Sequence, residues 1–368
     1  MGRLYLITVG ILLLLLQNFA AAEDGDGSPP TVDTTPFITS KTSKYGLGIE
    51  GVAVDSTGMA YATAYLGGTS NGLGTIANPD RKVHQEIFSI DQTGSVSYNG
   101  LRFLPLSREL SKEFESRGVA TDVRGHQVVH ILKGRRENRV RLYTFCGNQT
   151  MAQPNDIAVA ARTGRIYASG GKFDKVTTVV GDGDLWICRT SSSFYNSSMN
   201  EVEPVVAERL GLFGITNGIE LSPDEKILYL SETFNNNGLP VENKIWKFAV
   251  DPETGGVSDK TLFVDFKELD GTEWIDVDGI RADMEGNLFV ARNGPMGEVV
   301  KLSPEGELLL KIKVKGLIEV TNLDLAGVDG TTLFVVGKCV DNRERGCVDV
   351  WHMNSSPGRA WTQLRATS

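Results

Sequence analysis

Ile219–Glu232, IELSPDEKILYLSE, reads as two short apolar strands joined by a turn at Ser222-Pro223-Asp224-Glu225. Pro and Asp preset that turn, and apolar and polar residues alternate on either side of it, the period of a strand. The same pattern recurs as VAVDSTGMAYATAY from Val52, VATDVRGHQVVHIL from Val119, IAVAARTGRIYASG from Ile157, IRADMEGNLFVARN from Ile280 and LDLAGVDGTTLFVV from Leu323. Successive copies start 67, 38, 62, 61 and 43 residues apart. Each is followed by another strand candidate: IFSID at Ile87, RLYTF at Arg141, LWICR at Leu185, IWKFAVD at Ile245, VVKLS at Val299 and VDVWHM at Val348. Short strands, regular turns and no sustained helical period indicate an all-β array. Six copies over the residues after Ala22 give about 58 residues each, near the ~40–50 of a four-stranded propeller blade. Radial repetition also leaves only short strand edges, so a six-bladed β-propeller over residues 45–368 is expected in place of a sandwich.

The flanking segments place the chain outside the cell. Residues 1–22 carry one early cation, Arg3, an apolar run from Leu4 to Leu16 and the small residues Ala20-Ala21-Ala22, the pattern of a cleaved secretory signal. The rival is an uncleaved membrane anchor, and Gln17 and Asn18 shorten the apolar run against it. Residues 23–44, acidic and then rich in Ser, Thr and Pro, read as a flexible lead-in. The four cysteines allow three pairings; Cys339 and Cys347 are close enough to staple one hairpin, which leaves Cys146 with Cys188. Sequons at Asn148, Asn196 and Asn354 add an exported glycoprotein to the expectation. A formal charge of -9 argues against nucleic acid, whose phosphates need a basic face. With no second apolar run, the mature chain is expected to be a soluble, secreted monomer with no stable membrane insertion.

If the repeated strand lines the propeller axis, the residue two places before its first apolar position sits at the channel mouth. That column is Glu50, Arg117, Asn155, Asn217, Asp278 and Thr321. Five of the six carry a side-chain oxygen, the donor set of a hard cation, and no Cys or His is there for a softer one. Turn chemistry alone also favours Asn, Asp and Gly at strand starts. Arg117 is the misfit, since a cation facing a metal is unfavourable unless it holds a substrate anion or points away.

The segments Gln153-Pro154-Asn155-Asp156, Thr216-Asn217-Gly218-Ile219 and Val277-Asp278-Gly279-Ile280 resemble the family of gluconolactonase and senescence marker protein (regucalcin), to which diisopropylfluorophosphatase is related. The resemblance covers most of Glu50 to Val336 and implies a six-bladed propeller with a divalent cation, usually calcium, on its axis. It places the metal ligands on Glu50, Asn155, Asn217 and Asp278, and the base or nucleophile on Asp278. Magnesium, manganese or zinc are the other ions to consider. Many relatives carry an Arg where this chain has Gln153, so Gln153, Arg117 and Thr321 are the candidate substrate contacts.

The expected activity is therefore hydrolysis of a lactone or related ester, with the metal polarising the carbonyl. The alternatives are a non-catalytic propeller that binds a sugar or protein, and an organophosphate or aryl-ester hydrolase on the same scaffold. Two motif matches are discounted. Gly68-Thr69-Ser70-Asn71-Gly72 lacks the helix a nucleophile elbow requires, and Gly46–Gly51 precedes a strand where a dinucleotide fingerprint needs a helix. His126 and His130 share a strand face without a third ligand and read as structural or exposed.

Overall fold

The computed structural model describes residues 28–64, 72–90, 97–106, 110–135, 139–189, 205–295, 297–353 and 356–366. The expected signal segment, Asn196, Asn354 and most of the Gly68–Gly72 loop lie outside the described residues.

Six antiparallel blades follow one another along the chain. Their innermost strands are Ile49–Val54, Tyr98–Leu104, Pro154–Val159, Ile215–Leu221, Asp276–Ala282 and Leu317–Ala326. These strands are buried along almost their whole length, which is why they read as near-continuous apolar runs. Six apolar clusters fill the gaps between neighbouring blades. Phe213, Ile219 and Leu230 lie between the third and fourth blades, and Phe289, Leu323 and Val335 between the fifth and sixth. Burial is thus shared between blades, apart from a small cluster of Leu110, Phe114 and Leu132 within the second.

The ring is closed by the chain's beginning. Thr35–Ile38 pairs antiparallel with Asn342–His352 as the outer strand of the sixth blade, and Thr31–Asp33 adds a parallel fifth strand to the fifth blade. The lead-in expected to be flexible over 23–44 is therefore strand from Thr31 to Ile38. Its Ser/Thr/Pro composition suits an outer edge, where one side of the ladder faces solvent. Phe37 packs edge-on against Phe334 at 5.6 Å and anchors it. The tail forms a helix, Arg359–Ala366, too short for a helical period to show in the sequence. It packs against the inner strands of the second, fifth and sixth blades, and Arg359 Nη1 donates to the Val159 carbonyl at 3.2 Å. That carbonyl ends its strand, so the helix caps the end of the channel away from Asn155.

The disulfides pair as expected. Cys339–Cys347 staples one hairpin of the sixth blade. Cys146–Cys188 links the second blade to the third within their shared apolar cluster.

The second blade departs from expectation. Its sheet order makes Tyr98–Leu104 the inner strand, and Phe114–Asp122, which contains Arg117, the second. The segment VATDVRGHQVVHIL is thus the hairpin of the second and third strands. Its Asp122-Val123-Arg124-Gly125 turn mimics the turn that elsewhere follows an inner strand.

Candidate functional site

Each of the first five inner strands carries a bulge at the same place. The pairing register shifts between Ile49 and Val52, Tyr98 and Leu101, Pro154 and Ile157, Thr216 and Ile219, and Val277 and Ile280. The extra residues in these bulges are Glu50, Asn99, Asn155, Asn217 and Asp278. A bulge re-aims one side chain out of the sheet's alternation, and here it turns five polar side chains into the axial cavity.

The bulges also bring neighbouring blades close together. Gly218 follows Asn217, and a Cβ there would fall on the Asp278 carbonyl oxygen; a Cβ on Gly51 would fall on that of Asn99. Hydroxyls on the second strands satisfy the amides the bulges free. Thr63 Oγ1 accepts from Gly51 N at 2.8 Å and donates to the Asn99 carbonyl at 2.6 Å. Thr121 repeats this with Gly100 N and the Asn155 carbonyl, at 2.8 and 2.5 Å. Asn99 and Asn155 are thereby tied to the preceding blade through their own backbone.

The cavity has a volume of about 260 Å³. Glu50, Asn99, Asn155, Asn217 and Asp278 line it with Gln153, Thr233, Asn235, Asp276 and Asn293, while Phe173 is among its apolar walls. Asn293 Nδ2 donates to Asp278 Oδ2 at 2.7 Å. The side-chain oxygens Asn217 Oδ1, Asn235 Oδ1 and Asp276 Oδ1 are buried without a hydrogen-bond donor. Burial pushes the Asp278 carboxyl up to about 8, against the hydrogen bonds from Asn293 and Asn217. Burial, and then the nearby Asp278, raises Glu50 well above the usual carboxylate range, and burial takes Asp276 to about 6. No Lys, Arg or His lines the cavity among the described residues. Buried carboxylates and donorless amide oxygens around one cavity fit a hard divalent cation, whose charge would hold the Glu50 and Asp278 carboxylates ionised.

Of the residues expected at the site, Glu50, Gln153, Asn155, Asn217 and Asp278 meet here. Arg117 does not. It is buried on the second strand of its blade, where Nε donates to His130 Nε2 at 2.7 Å. Burial, then the Arg117 charge, takes His130 down to about 3, so it is neutral and structural. His126 likewise bonds the Met151 carbonyl at 2.7 Å. Thr321 occupies the sixth column position, but its hydroxyl donates to the Ile49 carbonyl at 2.8 Å, closing the last blade on the first. It does not line the cavity.

Asn99 is the residue that sequence reading missed. Asn99-Gly100-Leu101 has the signature of Asn217-Gly218-Ile219, and it evens the uneven 67- and 38-residue spacings to 49 and 56 along the column. Asn293, Thr233 and Asn235 come from second strands, which the column did not sample. Asp276 lies on the inner strand two residues before Asp278, so the column passed over it as well.

Three comparisons bear on this architecture. An uncharacterized protein of Sulfolobus acidocaldarius is 32% identical over 121 residues, which are 33% of this chain and 40% of that protein's length. Among solved structures, the calcium-binding protein regucalcin of Agrobacterium tumefaciens superposes with a TM-score of 0.63 at 15% identity, covering 90% of this chain and 99% of that one. A gluconolactonase of Xanthomonas campestris gives 0.57 at 16%, covering 88% and 95%. A luciferin-regenerating enzyme gives 0.62 at 17%, covering 88% and 97%. At these identities the structural likenesses establish the fold. The family model for the SMP-30/gluconolactonase/LRE-like region matches residues 111–338, and the chain belongs to that family.

Proposed function

We propose that the protein is an exported, divalent-cation-dependent hydrolase of uncharged lactones and related esters. The observation that carries this reading is the oxygen-rich cavity: Glu50 and Asp278 beside the donorless Asn217 Oδ1, with no cationic side chain lining it among the described residues. Glu50, Asn155, Asn217 and Asp278 would hold the cation through side-chain oxygens, and calcium suits that set best. When bound, the cation supplies a Lewis acid for a carbonyl oxygen.

The chain's own residues supply the rest. Asn293 and Asn217 donate to the Asp278 carboxylate and fix its rotamer. Asp278 takes the proton of the attacking water on a carboxylate oxygen, or that oxygen attacks directly. Asn99, in the bulge of the second blade's inner strand, and Gln153 are placed to orient the ring of the substrate. Gln153 stands where relatives that hold sugar acids place Arg, which favours a neutral substrate. Export follows from the signal pattern of residues 1–22 and is supported by the two disulfides. The Asn148 sequon sits in a partly exposed turn, as a glycan acceptor needs.

The test is hydrolysis of a lactone panel by purified protein, first with chelator and then with calcium, magnesium, manganese or zinc restored. Activity is expected to vanish with chelator and return with one ion. Tight metal uptake without turnover on any lactone or ester would replace this reading with a binding propeller.

A further inference from the structure

Two segments rise beside the cavity from the third and fourth blades: residues 172–182, and the hairpin tip of residues 236–239. They are bonded to each other. Thr178 N donates to the Asn235 carbonyl at 3.0 Å, and Gly238 N to the Val176 carbonyl at 2.6 Å. The first segment is also braced internally, by Lys172 against Asp182 at 3.0 Å and by Val179 N on Asp182 Oδ2 at 3.0 Å. The pair therefore presents a preformed surface.

That surface carries a cluster of exposed apolar side chains among the exposed polar and charged Lys172, Asp174, Lys175, Thr177, Asn236 and Asn237. Phe173, Val176, Val179, Val180 and Leu239 are 39%, 66%, 61%, 67% and 69% exposed. They are five of the fifteen large apolar side chains exposed among the described residues, gathered in about a twentieth of the described chain. Scattered exposed aliphatics need no explanation, but a cluster at the rim of a site does. The cluster is continuous with the cavity at two points. Phe173 lines it, and so does Asn235, whose carbonyl carries the Thr178 hydrogen bond.

From a polar, carboxylate-bearing floor and an apolar rim we infer that the substrate is amphiphilic: a lactone or ester head in the cavity with an aliphatic tail of several carbons along Phe173, Val176 and Leu239. This rests on the hydrolase reading for the head and on the loop surface for the tail. No cationic side chain lines the cavity among the described residues to anchor a sugar acid, and the rim supplies a hydrophobic contact in its place.

The test uses γ-lactones with unbranched tails of increasing length, from γ-butyrolactone to γ-dodecalactone, at a fixed calcium concentration. For the wild type, kcat/KM is expected to rise about twofold per methylene, half of what complete burial gives, because the tail is covered on one side. Val176→Ser, Val179→Ser and Leu239→Ser combined should flatten the series and lower the ratio of long-chain to short-chain rates. The control Val328→Ser, an exposed aliphatic elsewhere, should leave the ratio alone. Binding of the unreactive γ-lactams of the same lengths, read by calorimetry with calcium present, judges the tail contact separately. If no lactone turns over, the hydrolase reading falls; lactam affinity that still climbs with tail length, and stops climbing in the triple variant, upholds the tail site. Affinity independent of length in the wild type overturns the proposal. So does a flat series accompanied by concentration-dependent dimerisation, which would give the face to a second copy of the chain.

Discussion

Two layers of the same channel, three residues apart along the same strands, treat buried charge in opposite ways. The upper layer holds Glu50, Asp276 and Asp278 around the cavity with no counter-charge lining it among the described residues, and burial raises all three carboxyls. The lower layer follows at Arg102, Glu220, Arg281 and Asp324, joined by Asp156 and by Arg359 from the C-terminal helix. There three guanidiniums meet three carboxylates. Arg281 Nη1 and Nη2 reach Asp156 at 2.9 and 3.4 Å, and Arg359 bonds Glu220. Burial, then the neighbouring Arg281, lowers Arg102 to about 10. The lower layer is balanced within itself; the upper one is not. A buried carboxylate without a partner is costly, so its persistence beside a balanced layer marks a site.

The sharpest way to separate the layers is chemistry. Asp278→Asn should lower kcat by about 10²–10⁴ while calorimetry still detects calcium; unimpaired turnover would remove Asp278 from the reaction. In the lower layer, Arg281→Met removes the guanidinium hydrogen-bonded to Asp156, leaving it only Arg102 at 3.9 Å, and should cost about 3–5 kcal/mol in urea unfolding. Asp156→Leu combined with Arg281→Met should regain most of that loss, and a double variant no more stable than the single would break the pairing argument. Calcium at a hundred times its dissociation constant should add about 2.7 kcal/mol through the upper layer, seen as a chelator-reversible rise in melting temperature and diminished by Glu50→Gln. A melting curve indifferent to chelator would leave the upper layer without its cation.

Two smaller effects test the scaffold that holds the layers. Gly218→Ala forces a methyl against the Asp278 carbonyl and should destabilise by about 1–3 kcal/mol, with weaker calcium binding. His130, held neutral against Arg117, takes its proton only in the unfolded chain over most of the acid range. Its contribution is complete above about pH 6.5 and falls as the pH drops toward 3, by up to about 1.4 kcal/mol per unit. A pH titration of unfolding free energy on the wild type and His130→Gln reads that slope.

Much of this was legible before any coordinates. Strand–turn–strand copies at blade spacing determine a propeller because alternation and turn residues act locally, through burial of one face and allowed backbone angles. The same local signal misled at Val119–Leu132, where Asp122 and Gly125 make an equally good turn one strand further out. Only strand order separates an inner hairpin from an outer one, and strand order is decided by packing between blades. The chemical type of Glu50, Asn155, Asn217 and Asp278 was likewise in the sequence, whereas their convergence depended on five bulges and on closure of the ring by Thr35–Ile38. Asn99 entering the site, Arg117 leaving it, and the union of residues 172–182 with residues 236–239 rest on contacts between segments tens of residues apart. Local propensities carry no information on such contacts, so the tertiary structure alone decided them.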